Sequence, residues 1–125
     1  MAQRILLAED EEHIQKMVVN RLKSKGYKTM AVDDGEEAMK KIPSFRPDLL
    51  ILDLTMPKKN GYQVCKEVRA NSSYDHIPII ILSAWVRDKV GENDGLADVY
   101  IAKPFDAEEL LAEVHQLLNY GRDLH

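Results

Sequence analysis

The sequence predicts an α/β domain in which five parallel strands form one sheet with helices on both faces. Three observations carry this. Leu49-Leu50-Ile51-Leu52 is an unbroken apolar run that ends in Asp53 and, four residues later, Pro57. Such a run, bounded by turn residues, is the mark of a strand buried on both sides. Similar runs alternate with stretches of helical period along the whole chain. Finally, the residues that leave these runs are acids, a serine and a lysine. In open parallel sheets the functional crevice lies outside the carboxyl ends of the strands.

The elements follow in order. Arg4-Ile5-Leu6-Leu7-Ala8 is the first strand, and it runs into the acids Glu9-Asp10-Glu11-Glu12. A helix then extends to about Lys25, with Ile14, Met17, Val18 and Leu22 spaced for one apolar face, and Gly26 stops it. Tyr27 to Val32 is the second strand. Asp34 is placed to cap a helix carrying Ala38, Met39 and Ile42. Pro43 and Pro47 bracket the loop into the third strand, which ends at Asp53. Gly61 closes the loop that follows, and Tyr62 to Ala70 is helical, with Val64, Cys65 and Val68 inward. Asn71 to His76 is a polar loop before the fourth strand, Ile77 to Leu82, where Pro78 is tolerated near the start. Val86 to about Glu92 is expected as a short helix, weakened by Gly91, Asn93 and Gly95. Val99 to Ala102 is the fifth strand. Asp106 caps a last helix with the stripe Leu110, Leu111, Val114, Leu117 and Leu118, and Gly121 ends it. The common small arrangement of such a chain has strand order 2-1-3-4-5, with right-handed crossovers.

A length of 125 residues suits a single domain, taken as 1–125, with a real core. The composition, 45% hydrophobic and 30% charged, is that of an ordinary globular chain. A net charge of −4 with scattered basic residues argues against direct nucleic-acid binding. Cys65 is the single cysteine, which rules out an intrachain disulfide and a cysteine metal site. No apolar run approaches the roughly 20 residues of a membrane span. Met1-Ala2-Gln3-Arg4 enters a strand at once, so a natural N-terminus without a signal peptide and a cytoplasmic location are expected.

At the carboxyl ends, strand one contributes Glu9 and Asp10, strand three Asp53, strand four Ser83 and strand five Lys103. With these strands adjacent, the side chains converge. Each has an ordinary reading as well: acids favour a helix start, which is the better account of Glu11 and Glu12, and Lys103 can be a surface lysine. The set is more specific than its members. Three carboxylates repel unless a cation intervenes, and an all-oxygen donor set suits Mg²⁺. Together with Lys103 and the Ser83 hydroxyl, such an ion would form a cradle for a phosphoryl group around Asp53. Asp53 would be the nucleophile, and an ordinary carboxylate is already ionised at neutral pH.

The motifs Leu7-Ala8-Glu9-Asp10, Leu52-Asp53-Leu54-Thr55-Met56-Pro57 with Gly61, Leu82-Ser83-Ala84 and Tyr100-Ile101-Ala102-Lys103-Pro104-Phe105 resemble those of response regulator receiver domains of two-component systems. The resemblance covers essentially the whole chain and implies a flavodoxin-like, CheY-like fold. It implies Asp53 as phosphoacceptor, Glu9 and Asp10 as the Mg²⁺-positioning acids, and the Thr55 backbone carbonyl as a further ligand. Ser83 matches the hydroxyl that binds the phosphoryl group, Lys103 its lysine partner, and Tyr100 the aromatic switch residue. The Lys103–Pro104 bond is expected to be cis. A sensor histidine kinase or phosphotransfer domain is the implied donor, docking over the first helix and the Pro104-Phe105 turn. Phosphorylation would reshape the surface of the fourth helix, fifth strand and last helix. Nothing after Tyr120 is long enough for an output domain, so either a partner protein reads that surface or the chain is one domain of a longer protein. The implied protein is a switch acting on its own aspartate, not an enzyme with a separate substrate.

Several features depart from the family pattern, the mildest being Glu9-Asp10 where two aspartates are also common. Lys58-Lys59-Asn60 stands where the family reads closer to Gly-Met-Asp, so two positive charges near the site either steer a phosphodonor or are merely solvated. The segment from Ser83 to Lys103 is also about two residues short, and Gly95-Leu96-Ala97 differs from the usual Gly-Ala, so a fourth helix that is either shortened or mobile is expected. Two other functions share part of this pattern. A haloacid-dehalogenase-type phosphohydrolase shares a strand-end Asp, a hydroxyl and a Lys, but needs a second Asp where Thr55 stands. A pseudo-receiver that only binds proteins typically loses the Asp or the Lys, and both are present here. In the family, the positions of Thr55 and Trp85 tune the acyl-phosphate lifetime, and Trp85 either shields the phosphoryl group from water or only packs on the fourth helix. Shielding predicts that Trp85→Ala hastens dephosphorylation; an unchanged rate leaves the packing reading.

Overall fold

The computed structural model describes residues 2–84 and 96–122. Strands β1 (Arg4–Ala8), β2 (Lys28–Val32), β3 (Leu49–Asp53), β4 (Ile79–Ser83) and β5 (Val99–Ala102) form one sheet in the order β2-β1-β3-β4-β5. Every pairing is parallel. Four α-helices lie among the described residues: α1 (Glu12–Ser24), α2 (Gly35–Phe45), α3 (Gly61–Arg69) and α4 (Ala107–Tyr120). The expected helix over 86–92, together with Trp85, lies outside the described residues.

The period of two along each strand divides the core into two layers. Leu6, Ala8, Leu50, Leu52, Ile79 and Ile81 face α2 and α3, where they meet Ala38, Ile42, Val64 and Val68. Ile5, Leu7, Leu49, Ile51, Ile80 and Leu82 face α1 and α4, against Val18, Leu22, Leu110 and Val114. All five residues of β3 are buried, which is why that strand reads as an unbroken apolar run. Each fully buried Leu or Ile is worth about 1.5–3 kcal/mol relative to exposure.

Local chemistry sets the helix ends. Asp34 accepts a hydrogen bond from the Glu37 amide and Asp106 one from the Glu108 amide, as caps should. Asn60 and Gln63 make a reciprocal capping box at the start of α3. Helix α2 runs through Pro43 to Phe45, past the stop read from the sequence. A proline in the last turn removes a single intrahelical N–H, and the buried Phe45 side chain anchors the remaining residues. Arg46 then closes the helix in the left-handed region at φ 56°, donating its N–H to the Ile42 carbonyl. Met17 sits at the exposed edge of α1 instead of within its apolar face. The loop at 71–76 contains a 3₁₀ turn, Ser72–Tyr74, capped by Asn71.

The amino-terminal edge of β4 and β5 is fastened by charge. Asp98 accepts from Arg69 Nη2 at 3.1 Å, from Arg122 Nε at 2.8 Å and from the Ile79 amide at 2.8 Å. Arg69 also donates to the carbonyls of Leu96 and Tyr74. Both Arg69 and Asp98 side chains are almost wholly buried. Removing one member strands its partners without water, a loss of about 3–5 kcal/mol. Asp98→Ala is therefore expected to lower unfolding stability by about that amount, read from urea denaturation midpoints.

Candidate functional site at the carboxyl ends of the strands

The sheet register places the site. Ala8 lies opposite Leu52, so Glu9 follows level with Asp53. Asp53 lies opposite Leu82, and Ser83 opposite Ala102, which brings Ser83 and Lys103 to the same rim. The Lys103 amide donates to the Ser83 carbonyl at 2.7 Å, and the Leu54 amide to the Leu82 carbonyl at 2.8 Å, extending both pairings past the strand ends.

Glu9, Asp53 and Ser83 are buried at this rim, and Asp10 is exposed beside them. Glu9, Asp10 and Asp53 each offer a carboxylate oxygen, all within 4.8 Å of one another. Lys103 reaches into the group from β5. Its Nζ lies 2.9 Å from Glu9 Oε1 and 3.2 Å from Asp53 Oδ2. Asp53 Oδ1 accepts from the Thr55 amide at 3.2 Å, and Glu9 Oε2 from the Glu11 amide at 3.1 Å. Tyr100 is half-buried and packs against the α2–α3 side of the core. The Lys103–Pro104 peptide bond is cis.

Among the described residues, the carboxylates of the cluster outnumber its one ammonium. Burial, and then the charge of Glu9, push the Asp53 carboxyl up to about 7, against the opposing pull of Lys103 and the Thr55 amide. Asp53 in the bare cluster therefore holds its proton more tightly than the ordinary carboxylate expected from sequence, because burial and Glu9 disfavour its charge. Burial also works to lower the Lys103 pKa, but the Glu9 and Asp53 carboxylates outweigh it and hold the ammonium above its ordinary value. Adjacent oxygens with surplus negative charge are what a hard divalent cation needs, so the residues present fit such an ion.

Several contributors are less plain in the sequence. Gln15 Nε2 lies 2.9 Å from the Glu9 carbonyl, 3.2 Å from that of Val32 and 3.1 Å from Asp33 Oδ1, tying the acidic turn to the end of β2. Gly61 packs so closely on β3 that an added Cβ would stand 2.5 Å from the Asp53 carbonyl oxygen. A motif glycine at this spacing is visible in the sequence, but its contact is not. Glu11, read as a solvated helix start, has Oε1 at 3.7 Å from Lys103 Nζ. Lys58, at φ 68°, reaches Asp34 at 3.8 Å, and Lys59 pairs with Glu67 at 2.5 Å, so both lysines have acidic neighbours.

Fold and site together define a doubly wound domain with an acidic, lysine-bearing crevice at the carboxyl ends of its sheet. The family model of the response regulator receiver domain matches residues 5–115. The chain belongs to that family, a signalling domain of two-component systems. The response regulator MprA of Mycobacterium ulcerans is 41% identical over 122 residues, 94% of this chain and 51% of that protein. The chain thus spans about half the length of the curated relatives it matches. Among solved structures, the response regulator TrrA of Thermotoga maritima, in complex with Mg²⁺ and BeF, aligns with TM-score 0.82 and 35% identity, covering 92% of this chain and 98% of that one. The receiver domain of a Pseudomonas aeruginosa sensor histidine kinase aligns with TM-score 0.85 and 30% identity, covering 95% and 99%. That structure has a magnesium ion coordinated in its active-site cleft. No helix among the described residues is long and apolar enough to cross a membrane.

The raised Asp53 pKa has a stability consequence. Between its ordinary value of 3.8 and about 7, the folded state keeps a proton that the unfolded chain has released. Stability of the metal-free protein therefore falls as pH rises through that window. Asp53→Asn is expected to stabilise the metal-free protein at pH 8 by on the order of 2–4 kcal/mol, with the gap narrowing toward pH 4. Chemical denaturation in chelator at both pH values reads this. Gly61→Ala is expected to lose about 1–3 kcal/mol and to weaken divalent-cation binding, read by calorimetric titration.

Proposed function

We propose that this domain accepts a phosphoryl group on Asp53 and converts the added charge into a change of surface. The observation that carries the reading is the Asp53–Lys103 contact at 3.2 Å, at the end of the central strand and among further carboxylates. The donor is a phosphohistidine on a sensor histidine kinase or phosphotransfer domain, docking over α1 and the Pro104-Phe105 turn. An Asp53 carboxylate oxygen bonds to phosphorus as the phosphorus–nitrogen bond breaks, and the electron pair leaves on the imidazole. Glu9, Asp10, Asp53 and the Thr55 backbone carbonyl would hold Mg²⁺, which when bound offsets negative charge on the phosphoryl oxygens.

Lys103 pairs with a phosphoryl oxygen, and the Ser83 hydroxyl donates to another. The acyl phosphate adds roughly one unit of negative charge and strong acceptors at neutral pH. Those acceptors bias a two-state equilibrium of the β4–β5 rim, with Ser83 and Tyr100 as its moving side chains. A downstream protein or an output domain then reads the face around β5 and α4, and the length of the curated relatives supports an attached output domain. Action in the cytoplasm accords with such a donor. The phosphohydrolase alternative lacks support at Thr55, which offers Asp53 a backbone amide and has no carboxyl group.

Intact-protein mass after incubation with acetyl phosphate tests the reading. One phosphoryl adduct is expected on the wild type with Mg²⁺, and none with chelator or in Asp53→Asn. A folded, Mg²⁺-binding wild type that takes no adduct would turn attention to a protein-interaction module without phosphorylation.

A further inference from the structure

Glu11 occupies the N-cap of α1 yet makes no side-chain cap. Its backbone carbonyl still accepts the Gln15 amide, as an N-cap carbonyl should. Its own amide is directed at Glu9 Oε2. The side chain turns toward the crevice, where Oε1 stands 3.7 Å from Lys103 Nζ and Oε2 3.7 Å from His13 Nε2. Glutamate is a poor N-cap, and α1 gives up a capping bond that a shorter polar side chain would make. The Lys103 side chain is 12% exposed and that of Glu11 50%, so the pair spans the boundary between crevice and solvent.

We propose that Glu11 is a positioning residue that restrains the Lys103 ammonium in the unphosphorylated state and competes with the incoming phosphoryl group for it. The inference rests on the phosphoryl-accepting reading of Asp53. Lys103 faces Glu9, Asp53 and Glu11. Glu9 is buried and Asp53 is the acceptor, so among the described residues Glu11 is the partner of Lys103 on the solvent side of the site. With acetyl phosphate, an Asp53 oxygen bonds to phosphorus as the bond from phosphorus to the acetyl oxygen breaks, and acetate leaves with the electron pair. Glu11 acts on this step through Lys103: its hold on the ammonium delays the cation that should meet the phosphoryl oxygens.

The test compares Glu11→Gln with Glu12→Gln. Glu12 is the next residue, pairs with Lys16 at 2.7 Å, and is 76% exposed. With Mg²⁺ and acetyl phosphate, Glu11→Gln is expected to take up the adduct about twofold to fivefold faster than wild type, the scale of a half-exposed ion pair. Glu12→Gln is expected to match wild type. In a Lys103→Met background the gain from Glu11→Gln should vanish. Equal gains in both glutamine variants, or an undiminished gain without Lys103, would overturn the proposal. A second measurement needs no phosphodonor: the ¹⁵N resonance of Lys103 Nζ should move in Glu11→Gln and stay in Glu12→Gln. If it does not move, the restraint is refuted whatever the kinetics. If it moves but no variant takes an adduct, the restraint stands and the phosphoryl-accepting reading fails.

Discussion

The contact of one ammonium with several carboxylates in a crevice largely closed to water organises this molecule's working end. Like charges placed so close are costly where the effective dielectric is low, and Lys103 only partly offsets them. The elements around the crevice hold the charges where they do not sit comfortably. The β3 run fixes Asp53 from below, Gly61 allows α3 to press on its carbonyl, and Gln15 binds the acidic turn to the end of β2. A rigid frame around an uncompensated cluster leaves an added ion or phosphoryl group a large electrostatic difference to act on.

The two ends of the sheet solve the problem of buried charge differently. At the amino edge, Asp98 faces two guanidinium groups and a backbone amide, so its acceptor capacity is used. At the carboxyl edge, acids outnumber the lysine. The first arrangement is complete within the chain and holds strands together. Among the described residues, the second leaves negative charge that Lys103 only partly offsets. Perturbed ionisation concentrates where binding sites lie, and the Asp53 carboxyl is the clearest case here.

Much of this was legible in the sequence because it depends on period and position. Apolar runs located β1, β3, β4 and β5, and the residues leaving those runs located the rim. Caps at Asp34 and Asp106 followed from residue type. The Asn60–Gln63 box has an equally plain spacing, a capping residue with its partner three positions on. Other features depend on contacts that no local pattern encodes. Glu11 reads as one more acid at a helix start until β5 carries Lys103 to it. The ionisation of Asp53 depends on burial and on Glu9, which is remote in sequence. Pro43 misleads because a proline signals a helix end in general, whereas here the buried Phe45 prolongs the last turn.

The anchoring of β5 has a mechanical consequence. This short edge strand is bolted at its foot by Asp98 and at its head by Lys103. The span between those bolts is roughly 17 Å of extended backbone, with Tyr100 along it. The edge strand is therefore held by charge at both ends, and its residues, Tyr100 among them, lie between a compensated ion cluster and the functional crevice.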